Sequence, residues 1–353
     1  MHSSHEEKTC FLKGATLKYT ALTQLGLIAL TTLGLASSAM ADGRNPGSLL
    51  VYPEFDNRSS NVTLLTVTNT HDSSPVIVEF VYRGKYDNST PPNDIHCLET
   101  NRTKTLTHND TFTVLTDTHN PDMEQGFVYV FAKDSSNAKV SFNYLIGNVL
   151  TLDGMFGFEF SVNPLVYKAI AGVGQFTDAD GDGLIDMDGC EYEKTPAEII
   201  IPRFLGQNHA NIYSELILIG LSGGRNFETT LDFLIYNDNE EVFSREYSFN
   251  CWDRVALTSI SGVFDNMFLH NMTNDDPQEI LGANVLESGW IWIRGKIAQS
   301  VNTAITSPAV YAVLIERIGN KGASDLPFER GKNGNGDLFP QSNFGDTVQT
   351  CNN

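Results

Sequence analysis

A series of short runs rich in Val, Ile, Phe, Tyr and Thr occurs twice along this chain in the same order, and this duplication restricts the fold more than any other feature. "LLVYPEF" at 49–55 is answered by "IIIPRF" at 199–204, and "NVTLLTVTNT" by "YSELILIGLS". "VIVEFVYR" then matches "TLDFLIYN", Cys97 in "DIHCLE" matches Cys251 in "SFNCWD", and "DTFTVLT" matches "DRVALTS". Last, "GFVYVF" matches "GWIWIR", and "VSFNYLIGN" matches "VYAVLIERIGN". The stretch 149–175 has no clear counterpart in the second copy.

Within the runs, apolar residues alternate with polar ones. Val76, Val78, Phe80 and Tyr82 share one face, and Val140, Phe142, Tyr144 and Ile146 share another. Period two marks half-buried strands, and Asn, Asp, Gly and Ser clusters separate them. About seven strands per copy, in roughly 120 residues, has the size and rhythm of an immunoglobulin-like β-sandwich. The expected fold is therefore all-β: two tandem Ig-like sandwiches from an internal duplication, at 46–175 and 196–320. An Asp/Gly-rich linker at 176–195 joins them, and a polar Gly/Asn-rich tail follows at 321–353.

Lys8, Lys13 and Lys18 precede "ALTQLGLIALTTLGLASSAMA", a moderately apolar stretch ending in small residues. It reads as a signal peptide at 1–41, cleaved after Ala41, and it is too short and polar for a membrane span. The chain carries a net charge of -20, and losing three lysines and two glutamates with the leader leaves the rest slightly more acidic. Such a surface argues against nucleic acid or an anionic membrane as partner and suits divalent cations. No second apolar run is long enough to span a bilayer. Cys97, Cys190, Cys251 and Cys351 remain, an even number in an exported chain, which implies two disulfides. Of three connectivities, the duplication favours one bond within each repeat, Cys97 with Cys190 and Cys251 with Cys351.

In "DADGDGLID", Asp178, Asp180 and Asp182 recur every second residue and Asp186 follows. Calcium prefers six to eight hard oxygen ligands, and this spacing lets one tight turn supply several. Gly181 and Gly183 allow the turn, and the Leu184 carbonyl stands where an EF-hand loop uses its main-chain ligand. Gly189, not glutamate, occupies the twelfth position of such a loop, and the flanks are poor helix formers. With Asp188 and Cys190 included, the motif resembles the calcium repeats of thrombospondin type 3 and the DxDGDGxxD linkers of secreted bacterial proteins. That resemblance implies calcium ligation by Asp178, Asp180, Asp182 and Asp186, with Asp188 as a further ligand. "GKNGNGDLFP" is expected to be a weaker relative of the loop, with Asn333 and Asn335 in place of Asp180 and Asp182.

No GxSxG, HExxH or phosphate-binding glycine loop occurs. The histidines beyond the leader lack metal-ligand spacing. The six Asn-x-Ser/Thr sites (Asn57, Asn61, Asn88, Asn101, Asn109 and Asn271) read as Asn/Thr-rich loops and strand faces. Trp290 and Trp292 share a face of "GWIWIR" that is expected to pack in the core. The sequence thus points to an exported, non-enzymatic, calcium-binding structural or adhesive protein of the cell surface or extracellular matrix, the periplasm being the other compartment. Its expected partner is an extracellular protein or glycan. A carbohydrate- or protein-binding module is the first alternative and a secreted hydrolase with paired carboxylates the second.

Overall fold

The computed structural model describes residues 45–86, 97–154, 157–207, 212–272, 286–319, 321–325 and 327–338. The leader, Asn88, His96, His209 and Cys351 lie outside them. The first repeat runs through β1 (Leu49–Asp56), β2 (Asn61–Asn69), β3 (Val76–Tyr86), β4 (Leu98–Leu106), β5 (Thr111–Leu115), the one-turn helix α1 (Thr116–His119), β6 (Met123–Lys133), β7 (Leu145–Asp153), β8 (Phe158–Val162), β9 (Leu165–Tyr167) and β10 (Asp186–Met187). The second runs through β11 (Glu198–Leu205), β12 (Ile212–Gly220), β13 (Glu228–Asn237), β14 (Val242–Asn250), β15 (Trp252–Ala256), α2 (Leu257–Ile260), α3 (Asn266–Met272), β16 (Ser288–Gln299), β17 (Ala304–Thr306), β18 (Val310–Ile318), β19 (Lys321–Asp325), β20 (Phe328–Arg330) and β21 (Gly336–Asp337). The protein is all-β in character, and no helix among the described residues is long and apolar enough to cross a membrane.

Strand pairing follows the same order in the two halves. One repeat orders its sheets β4-β3-β6-β1-β9 and β5-β2-β7-β8, and the other β14-β13-β16-β11-β20 and β15-β12-β18-β19. Replacing each strand by its counterpart converts one order into the other, β17 being an addition at β16. Even the irregularities match: β1 shifts register between Tyr52 and Phe55, and β11 between Ile201 and Phe204. Pro53 and Pro202 lie inside these shifts, where a residue without an N–H cannot serve the ladder and the strand bulges. Beyond each bulge the partner is a glycine, Gly126 or Gly289. A Cβ there would fall 1.8 Å from the Arg83 carbonyl oxygen or 2.2 Å from that of Tyr236, so the backbones close only over glycine.

The pairing also moves several matches read from the sequence. β18 corresponds to β7 at 145–153, not to 140–148, and the two "IGN" tripeptides are unrelated. The stretch 140–147 is no single strand: Leu145 is buried and Ile146 exposed, because β7 begins at Leu145 and fixes the opposite phase. Likewise Ile291 and Ile293 face the core, while Trp290 and Trp292 stand half-buried on the outer face of β16. There Trp290 stacks on Tyr236 at 4.0 Å and Trp292 lies between Arg294 and Arg330. The region after 149 does have counterparts, since β8 and β9 correspond to β19 and β20, short polar strands within 321–330.

Cys97 precedes β4 whereas Cys251 follows β14, so the two are not equivalent. They are bonded to each other, with Cα atoms 5.7 Å apart, and neither expected intra-repeat bond forms. The reason is packing: the repeats lie against one another within one compact unit, so the start of β4 meets the end of β14. Cys190 is disulfide-bonded as well. Trp252, 2% exposed, donates its indole N–H to the Pro53 carbonyl at 2.8 Å. Beside it Arg254 bridges Glu54 and Glu215, each at 2.8 Å.

Inside the first repeat the two sheets meet through aromatic rings. Phe80 on β3 lies 5.9 Å from Phe112 on β5, and the His119 ring packs against both. Burial, aided by the Arg102 charge, lowers the His119 imidazole to about 4. With the folded value below the unfolded one, its stabilising contribution is complete above about pH 6.5 and is lost as the pH falls toward 4. Discounted for solvent screening, the loss is about 1–2 kcal/mol. Titration followed by imidazole NMR should show this depressed value, and His119→Gln should flatten the acid limb of the stability curve.

Candidate metal centre

The aspartate loop is built by its own side chains. Asp178 Oδ1 accepts from the Gly181 N–H at 2.9 Å, Asp180 Oδ1 from Asp182 at 3.2 Å, and Asp182 Oδ1 from Leu184 at 2.7 Å. Each aspartate thus closes a turn onto the backbone two or three residues ahead. Gly181 and Gly183 adopt φ of 79° and 83°, the left-handed values that chained turns require and that other residues reach only with strain.

These turns bring together two overlapping sets of carboxylate oxygens, Asp178 with Asp180 and Glu191, and Asp180 with Asp182 and Asp186. Within each set the ligand-capable atoms lie within 4.8 Å of one another. Glu191 is the member that the spacing argument omits. It folds back across the loop and accepts from the Ala179 N–H at 2.7 Å and from the Asp186 N–H at 3.3 Å. The signal for it was an acidic residue just past the glycine in the twelfth position. Asp188 lies in neither set; its Oδ1 accepts from the N–H groups of Cys190 and Glu191 and shapes the chain's exit. The Leu184 and Gly183 carbonyls both receive the Lys139 ammonium at 2.5 Å, and that ammonium lies 3.7 Å from Asp178.

The electrostatics fit a cation. Burial, then repulsion from Asp182, Asp188 and Asp180, pushes Asp186 up to about 7. Burial raises Glu191 to about 8, and burial followed by Asp186, Asp182, Glu191 and Asp180 raises Asp337 to about 9. The protein alone supplies Lys139 against this concentration of carboxylates, and a divalent ion would relieve the repulsion. Oxygen donors without His or Cys in either set suit a hard cation such as calcium and not zinc.

The asparagine segment near the C-terminus is organised differently. Asn333 Oδ1 accepts from the Asn335 N–H, and the amides of both side chains donate to the carbonyl of Ser307, that of Asn335 also to Thr306. Elsewhere the repeats enclose a polar cleft of about 670 Å³, lined in part by Arg58, Glu124, Tyr213 and Arg254. Both of its arginines are engaged, Arg58 by Asp56 and Arg254 by Glu54 and Glu215. Described histidines are likewise used singly, as where His270 faces Glu287 at 3.0 Å. No protein-family model matches this chain, and no curated protein matches its sequence.

Proposed function

We propose that this is an exported, non-enzymatic, calcium-binding structural or adhesive protein of the cell surface or extracellular matrix, released by cleavage after Ala41. The observation that carries this reading is the convergence of Asp178, Asp180, Asp182, Asp186 and Glu191 on turns already closed by their own hydrogen bonds. A preformed loop binds without first ordering itself, so little affinity is lost to chain entropy. Each repeat is read as an Ig-like sandwich in which the end strands exchange sheets. The first strand joins the sixth and the seventh joins the second, where the immunoglobulin order pairs first with second and sixth with seventh. Calcium in this reading stiffens the connection that follows the first repeat, and the broad sheet faces remain for an extracellular protein or glycan.

Calorimetric titration of the exported chain with calcium tests the reading. Saturable uptake is expected, abolished in Asp180→Asn/Asp182→Asn. At a calcium concentration 100 times the dissociation constant, the bound ion should raise stability by about 2.7 kcal/mol. Absence of binding at millimolar calcium would remove the metal from the account and leave an acidic connecting loop.

A further inference from the structure

The loop does not end its interactions at Glu191. Its last part, β10, pairs antiparallel with β21, placing Asp186 directly opposite Asp337 and Met187 opposite Gly336. Directly opposed residues in an antiparallel ladder project from the same face with Cβ atoms about 5 Å apart. Asp337 thus stands across the ladder from Asp186, brought there by the second repeat, outside the two carboxylate sets themselves. It is 2% exposed, and its Oδ1 has no hydrogen-bond partner. The backbone around it is fixed on both sides: the Asp337 N–H donates to Leu221 of the second repeat at 2.7 Å, and the Leu338 N–H to Ile185 of the loop at 3.1 Å. Ser222 Oγ further holds the Asn335 carbonyl. Asp337 is therefore buried opposite Asp186 with one carboxyl oxygen unpaired, and a bound cation would satisfy that oxygen.

We propose that Asp337 completes the cation site, so that a calcium-sized divalent ion is held jointly by the aspartate loop and by the second repeat's last strand. The ion then acts as a clasp, joining β21 to the loop through charge where the two-residue ladder offers few hydrogen bonds. This rests on the loop binding calcium, and it adds the far repeat as a ligand source and the seating of β21 as the consequence. Lys139 marks the other side of the site, where the loop carbonyls already attract an ammonium.

The test uses the full exported chain, stripped with chelator and titrated with calcium chloride, as wild type and as Asp337→Asn. The variant keeps the shape and removes the charge. Its affinity for calcium should fall at least tenfold, while Asp180→Asn/Asp182→Asn loses binding altogether. Hydrogen exchange on the wild type supplies a second readout that does not depend on the variant folding: calcium should slow the Asp337 and Leu338 amides at least tenfold. Wild-type binding with Asp337→Asn within twofold of it, or unchanged exchange at those two amides, would overturn the clasp and leave the calcium loop standing. No uptake by the wild type would overturn both.

Discussion

Replacing Cys97 and Cys251 with serine is expected to lower the unfolding free energy by about 5 kcal/mol, the chain-entropy figure for a bridge across 154 residues. The bond ties the start of β4 to the end of β14, so its loss frees the repeats from each other more than it disturbs either one. Both cysteines also sit at positive φ, 48° and 60°, where any residue with a Cβ is strained. Glycine at the two positions should therefore recover about 1 kcal/mol per site relative to serine. Urea unfolding of the oxidised protein and of both double variants measures this. A difference below about 1 kcal/mol between oxidised protein and serine variant would show that non-covalent contacts already confine the chain.

The second large effect is expected at Arg254. Arg254→Met should cost about 3–5 kcal/mol, because it strands Glu54 in the interface between repeats. Glu54 is 0% exposed; Arg254 satisfies one of its oxygens and the other has no partner. Burial pushes its carboxyl upward, and the guanidinium pulls it only part of the way back. A carboxyl with a raised folded value is most compatible with the fold below its ordinary range and becomes a liability as the pH rises. The defect of Arg254→Met should therefore be larger at pH 8 than at pH 5. Pairing it with Glu54→Leu should restore most of the stability, since removing both charges removes the buried imbalance. Equal costs at the two pH values would mean that the variant fails through lost packing alone.

Where alternation ran long and apolar, the sequence announced the strand. β3 places Val76, Val78, Phe80 and Tyr82 inside as their spacing requires, and the proline-bearing first strands identify the two repeats. What stayed hidden depends on phase or on long-range pairing. "GWIWIR" alternates equally well with either face inward, and only pairing with β11 and β13 selects the isoleucines. Strands β19 and β20 carry too few apolar residues to register as strands, because they are short edges held mainly by ladder hydrogen bonds. For the candidate metal centre, spacing singled out four aspartates that the structure gathers in one loop. It could not single out Glu191, which joins one of the two carboxylate sets by a fold-back.

The strands that meet where the two repeats join are counterparts of one another: β10 pairs with β21, and β8 lies beside β19. A segment that pairs antiparallel with its own equivalent is what a two-fold rotation axis demands of an isologous contact. The Cys97–Cys251 bond departs from that symmetry: it joins the start of one edge strand to the end of its counterpart, and no second bond among the described residues mirrors it.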